Sequence, residues 1–283
     1  MRLVSYRKDG SESFGAVTDD GVIDLAARLG DTADVSGLLA GGAAALDAAA
    51  KAIRGAAPDC GLDDIDYLLP IPRPDKIFCV GRNYRAYHEV MDDGAPKFPS
   101  IFGRYTNSFV PHGEAILKPE ESDQLDYEGE LAVVIGRRTR RISQADALSC
   151  IGGYTCLNEG SVRDWQRKGT QNCPGKNFYH AGSIGPWLVT ADEIPDPTKL
   201  TITTRLSGEQ RQHGGTDMMI FDIPYVISHV SHFTQLEPGD IIATGSPGGS
   251  AIEMDPKQWM QVGDELEVEI TGIGTLKNPV EAG

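Results

Sequence analysis

Residues 126–136 read DYEGELAVVIG, three acidic side chains at alternate positions leading into an apolar run. Successive side chains of a strand point to opposite faces, so Asp126, Glu128 and Glu130 are expected on one face, with Gly129 clearing bulk from the other. Like charges at this spacing repel and raise one another's pKa, a cost that a bound cation reverses. Oxygen ligands with few histidines suit Mg2+, Mn2+ or Ca2+ over Zn2+. On spacing alone, a solvated acidic strand face is an equal reading, because E-x-E is a weak pattern.

Working outward, strand signals dominate the chain beyond residue 76: IGGYTCLN, WLVTADEI, TKLTITTRLSG, DIIATGSP and ELEVEITGIGTL. Several alternate apolar with polar at period two, as half-buried strands do. The spacing predicts one good helix over 222–235, with Asp222 as its cap and Pro224 in its first turn. Upstream, MRLVSY and FGAV flank a polar turn and suggest a hairpin, while GGAAALDAAAKAIRGA reads as a helix closed by Gly55 and Pro58. The proline-rich LLPIPRPDKIFCVG marks a boundary near residue 72. A small N-terminal α+β domain over 1–72 and a larger, mainly β domain over 73–283 are therefore expected.

Composition narrows the function. Apolar residues make up 40% and charged residues 24%, an ordinary globular balance. Acidic side chains outnumber basic ones 41 to 26, which disfavours nucleic acid and anionic membranes as partners. No apolar run approaches the ~20 residues that cross a bilayer, and the N-terminus turns polar at once. The cysteines at 60, 79, 150, 156 and 173 lack C-x-x-C spacing and read as thiols of a reducing compartment, so a cytoplasmic protein is expected.

Two further clusters carry chemistry. Glu159 ends the strand-like IGGYTCLN and is followed by Arg163 and Gln166, four and seven residues on, one face if a helical turn starts there. The segment GRNYRAYHE at 81–89 leaves a strand and bears His88 beside Glu89, a pairing that can make a general base. Taken alone, each also fits a solvated surface feature. His229 and His232 on the expected helix, and the three tryptophans, read as packing or surface residues.

Together these clusters resemble the fumarylacetoacetate hydrolase family, in its branch of acylpyruvate hydrolases, oxaloacetate decarboxylases and hydroxymuconate-type isomerases. The match runs through G-x-N-Y at 81–84, D-x-E-x-E-L-x-x-V-I-G at 126–136, S-x-R-D-x-Q at 161–166, GKNF at 175–178, GPWLVT at 185–190 and EPGDIIATGSPGG at 237–249. The resemblance implies a rolled, mixed β-sandwich or barrel-like catalytic fold and a homodimer or higher homo-oligomer. It implies Mg2+, with Mn2+ or Ca2+ possible, held by Glu128, Glu130 and Glu159. Glu159 stands where the family usually has Asp. Lys176 would face the oxo-acid end, His88 and Glu89 would form the water-activating dyad, and Arg82, Tyr84, Arg104, Arg163, Gln166 and Thr244 would surround the substrate. The family's G-x-N-Y-x-x-H-x-x-E is altered here: Tyr87 and Val90 occupy the expected positions, with His88 and Glu89 adjacent.

The implied activity is hydrolysis of the C–C bond of a 2,4-dioxo acid with release of pyruvate. NEGSVRDWQ at 158–166 is most similar to the sugar-acid branch that splits 2,4-dioxo-3-deoxy-L-rhamnonate into pyruvate and lactate. The altered dyad spacing keeps an isomerase or decarboxylase of hydroxymuconate-type or related dicarboxylic acids as the alternative. A non-catalytic oxo-acid-binding protein is a third.

Overall fold

A computed structural model describes residues 1–85 and 96–283. In chain order the strands are β1 (Arg2–Lys8), β2 (Ser11–Thr18), β3 (Gly21–Asp24), β4 (Asp66–Tyr67), β5 (Ile77–Gly81), β6 (Ser100–Arg104), β7 (Phe109–Val110), β8 (Ile116–Lys118) and β9 (Leu125–Asp126). They continue with β10 (Gly129–Ile135), β11 (Ile151–Asn158), β12 (Ser161–Val162), β13 (Gly182–Thr190), β14 (Thr201–Leu206), β15 (Glu209–Gly215), β16 (Ile241–Ala243), β17 (Glu265–Ile270) and β18 (Gly274–Ala282). Among the described residues these form a large mixed sheet in the order β3-β2-β1-β13-β11-β10-β16-β5-β6, a smaller sheet β15-β14-β17-β18-β8, and the ribbon β12-β9. None of these sheets closes into a barrel. The fold is mainly β, as the strand pattern predicts, and its packed sheets match the sandwich that the resemblance implies.

β10 lies inside the large sheet, between β11 and β16, and every one of its residues is buried. Leu131, Val133 and Ile135 face a core shared with Ile202, Val268 and Leu276 of the smaller sheet and with Val226, Ile227 and Val230 of the helix Ile223–Phe233. Ala132 and Val134 face the other core, with Leu3, Phe14, Val35 and Leu38 from the N-terminal segment. A strand covered on both faces needs no polar alternation, which is why LAVVI reads as a continuous apolar run. β1 extends the same sheet through its pairing with β13, Leu3 opposite Leu188.

Local sequence explains the other elements. The hairpin β1–β2 turns at Asp9 and Gly10, both at positive φ. Asp222 caps the helix Ile223–Phe233 by accepting from the Tyr225 amide at 2.8 Å. The Ala-rich segment forms the helix Gly42–Ile53. β15 escaped the sequence reading because EQRQHGG carries no apolar alternation; it is an edge strand, held by pairing with β14.

One expectation is corrected. Asp126 does not share a strand face with Glu128 and Glu130, because the ladder breaks between β9 and β10. Asp126 pairs with Ser161 in the ribbon, and its carboxylate accepts from the amides of Ala251 at 2.7 Å and Ile252 at 3.2 Å. The site strands cross at Gly160, where an added Cβ would lie 1.7 Å from the Ala181 carbonyl oxygen. Gly160→Ala should therefore lower stability by about 3 kcal/mol, the upper end of over-packing costs. Urea denaturation checks this, and a loss within ~0.5 kcal/mol, typical of a neutral surface change, would contradict the crossing.

Candidate active site

The ends of β10 and β11, the ribbon strand β12 and the loop after β16 converge on a cavity of about 290 Å3. Glu128, Glu130 and Glu159 line it together with Lys176, Arg163, Gln166 and Arg82. Glu128 precedes β10 and Glu159 follows β11, and the Glu159 amide donates to the Glu128 carbonyl at 2.8 Å. The register Gly129 opposite Asn158 thus brings two acidic residues 31 positions apart into one place.

Lys176 reaches the cluster from the short helix Cys173–Lys176. Its Nζ lies 2.6 Å from Glu128 Oε2 and 3.1 Å from Glu159 Oε2, and the side chain is buried. Gly175 makes this approach possible: a Cβ there would meet the Gln166 backbone nitrogen at 2.2 Å. The helix Arg163–Gln166 packs against that glycine. Arg163 donates from Nε to Asp126 Oδ2 at 2.7 Å, and its Nη2 lies 3.1 Å from Glu128 Oε1. Its Nη1 donates to Gln166 Oε1 at 3.0 Å.

The three carboxyl groups experience different fields. Burial raises Glu130 well above the usual carboxylate range, and Glu159 and Glu128 add to the rise, against one hydrogen bond from the Gly245 amide at 2.7 Å. Burial also raises Glu159, with Lys176 opposing. Burial acts the same way on Glu128, but Arg163 and Lys176 outweigh it and hold its pKa at about 2. Glu159 Oε1 is buried without a hydrogen-bond partner among the described residues, and Arg104 Nη1 lies 3.9 Å from it.

This donor set fits a hard divalent ion: oxygen atoms only, mutually repelling, with one buried oxygen unsatisfied. As the side chains stand, no three His, Cys, Asp or Glu residues among those described converge into a metal-holding group. The Lys176 ammonium occupies the space between Glu128 and Glu159, satisfying one oxygen of each.

The other expected residues divide. Arg82 lines the cavity and is exposed, at a positive φ of 55° that suits few non-glycine residues. Tyr84 does not line it: the ring is fully buried in the core and its hydroxyl has no partner among the described residues. Arg104 also stands behind the cavity wall, donating to the Gly160 carbonyl at 3.1 Å and stacked over Phe109 at 4.1 Å. Thr244 is buried, its hydroxyl donating to the Leu131 carbonyl at 2.8 Å. In the same loop the Gly245 amide serves Glu130, and Ser246 lines the cavity. His88 and Glu89 lie outside the described residues.

Some contributors escaped the sequence reading. Asn83 is fully buried, and its side chain donates to the carbonyls of Phe221 at 2.9 Å and Thr244 at 2.8 Å, fixing the turn that carries Arg82. The asparagine of G-x-N-Y is thus a clamp. Arg167, Asn172, Ser100 and Phe102 also line the cavity. The polar loop RKGTQN between two matched motifs was the available signal for the first two. None of the described helices is long and apolar enough to cross a membrane.

Comparison with known proteins agrees with this geometry. Residues 76–281 match the family model described as fumarylacetoacetate (FAA) hydrolase C-terminal. A mitochondrial oxaloacetate tautomerase of Homo sapiens is 37% identical over 290 residues, covering 99% of this chain and 91% of that protein. An oxaloacetate tautomerase of Bacillus subtilis is 40% identical over 223 residues, 77% of this chain and 74% of that one. The crystal structure of a maleylpyruvate hydrolase from Sphingobium sp. SYK-6, in complex with manganese(II) and pyruvate, superposes with a TM-score of 0.85 at 26% identity and covers 100% of both chains.

Removing the Arg163 guanidinium would leave the Asp126 carboxylate buried beside Glu128 with no counter-charge of its own among the described residues. Arg163→Met should lower unfolding free energy by about 3–5 kcal/mol. A denaturation midpoint unchanged from the parent protein would contradict the buried pairing.

Proposed function

The chain belongs to the fumarylacetoacetate hydrolase family, and from that premise we propose that it is a metal-dependent enzyme acting through the enolate of a small 2-oxo acid, in the first place as an oxaloacetate tautomerase. The observation that carries this reading is the buried ammonium of Lys176, set at the cavity wall between Glu128 and Glu159. Support for the tautomerase comes from the relatives in Homo sapiens and Bacillus subtilis, both described by that activity. Residues 1–72 would be the N-terminal unit and 73–283 the catalytic one.

Glu128, Glu130 and Glu159 would hold the ion, Mg2+ in the first place and Mn2+ or Ca2+ as replacements. When bound, it would supply Lewis-acid polarisation of the 2-oxo group. Lys176 Nζ holds a positive charge where the substrate's enolate oxygen develops negative charge, the kind of preorganised field that accounts for most of a rate gain. Arg163, fixed by Asp126, keeps Glu128 ionised and turned toward the cavity. Tautomerisation then needs one proton removed from the enol oxygen and one delivered to C3, and His88, with Glu89, is the proposed proton carrier.

Hydrolysis of a 2,4-dioxo acid is the second reading, favoured by the maleylpyruvate hydrolase likeness. It uses the same enolate: water adds at C4, the C3–C4 bond breaks, and C3 is protonated as pyruvate forms. The substrate proposed for that case is 2,4-dioxo-3-deoxy-L-rhamnonate, giving pyruvate and lactate. A cytoplasmic homodimer completes the proposal.

Decay of the enol absorbance of oxaloacetate tests the first reading, and a coupled pyruvate assay on the dioxo acid tests the second. EDTA should abolish turnover and Mn2+ restore it; full activity after chelation would remove the metal from the account. Lys176→Met should lower kcat by about 10^2–10^3, as loss of one transition-state charge stabiliser does. Unchanged kcat in that variant would remove Lys176 from the chemistry.

A further inference from the structure

The cations around the cavity differ in how they are satisfied. Lys176 faces two carboxylates and so does Arg163. Arg167 lines the same cavity, yet its hydrogen bond is to the neutral amide oxygen of Gln124, at 3.2 Å, and it makes no ion pair with the described residues. Its place is fixed. It is the first residue beyond the helix Arg163–Gln166, whose end is packed against Gly175 at a contact too tight for any side chain. Arg167 at the exposed rim, just past one short helix, and Lys176 at the buried end of another are therefore held by two helices that touch. Asn172 adds an amide to the same rim.

Arg167 and Lys176 both line one cavity, which has room for a small acid. A cavity of about 290 Å3 is roughly ten waters at ~30 Å3 each, more than the three carbons of a minimal 2-oxo acid fill. A planar guanidinium without a carboxylate partner among the described residues is suited to bidentate binding of one.

We propose that Arg167 is a specificity-determining residue that binds the second carboxylate of a dicarboxylic 2-oxo acid, the end remote from Lys176. This rests on the 2-oxo-acid reading of the cavity and names the class of acid it selects. A neutral hydroxylated chain would gain no comparable advantage from the guanidinium.

The test uses two unreactive 2-hydroxy acids with the same head group, malate and lactate, bound to the Mn2+-supplemented full-length protein and measured by calorimetry. The unaltered protein should bind malate at least about tenfold tighter than lactate, the size expected for one charge-assisted contact at a partly solvated rim. Arg167→Gln should remove that advantage while leaving lactate binding within about twofold, and Arg167→Lys should restore part of it. Equal weakening of both ligands in Arg167→Gln, or an unchanged malate-to-lactate ratio, would overturn the assignment. The comparison is a binding measurement, so it stands apart from turnover. Absent oxaloacetate tautomerisation with an intact, Arg167-dependent preference would sink the tautomerase and leave this site in place.

Discussion

The structure is organised around the problem of burying three carboxylates together. Glu128, Glu130 and Glu159 sit where two strand ends meet, and the protein surrounds them with cations in alternation: Asp126, Arg163, Glu128, Lys176, Glu159, Arg104. Buried charge is tolerated only when paired and hydrogen-bonded. The alternation satisfies Asp126 and Glu128 well. It leaves Glu130 with a raised pKa and one oxygen of Glu159 without a hydrogen-bond partner among the described residues. That residual deficit is what a divalent ion held there would offset.

The rest of the fold serves to keep those charges in register. β10 is covered on both faces, so its end cannot shift without disturbing two cores. Glycines mark the places where backbones must approach more closely than any side chain permits: Gly160 beside Ala181, Gly175 against Gln166. Gly129 belongs with them, since a Cβ there would meet the Thr204 hydroxyl oxygen at 2.1 Å. Asn83 and Asp126 do by hydrogen bonding what the glycines do by absence, each tying a loop of the cavity wall to the sheet. Stability and chemistry are thus linked through the same few contacts.

Much of this was legible in the sequence because the informative residues are local. DYEGELAVVIG announces both an interior strand and two of the clustered acids, and Asp222 with Pro224 announces the helix Ile223–Phe233. Position and spacing single out Glu159, Arg163 and Gln166, motif resemblance adds Lys176, and the fold brings all four to the cavity. What spacing could not reveal was direction. Asp126 turns away because its strand ends with it, Tyr84 turns into the core, and the Thr244 hydroxyl is taken by a backbone carbonyl. β15 and Arg167 lie in polar stretches whose role comes only from what packs beside them.

The central claim is that the carboxylate cluster is a cation site, and crystals grown with Mn2+ test it most directly through anomalous scattering at the manganese edge. The account predicts a single strong peak within coordination distance of Glu128, Glu130 and Glu159, with Lys176 Nζ displaced from between Glu128 and Glu159. A map with no peak there, or with manganese bound only elsewhere on the acidic surface, would contradict it.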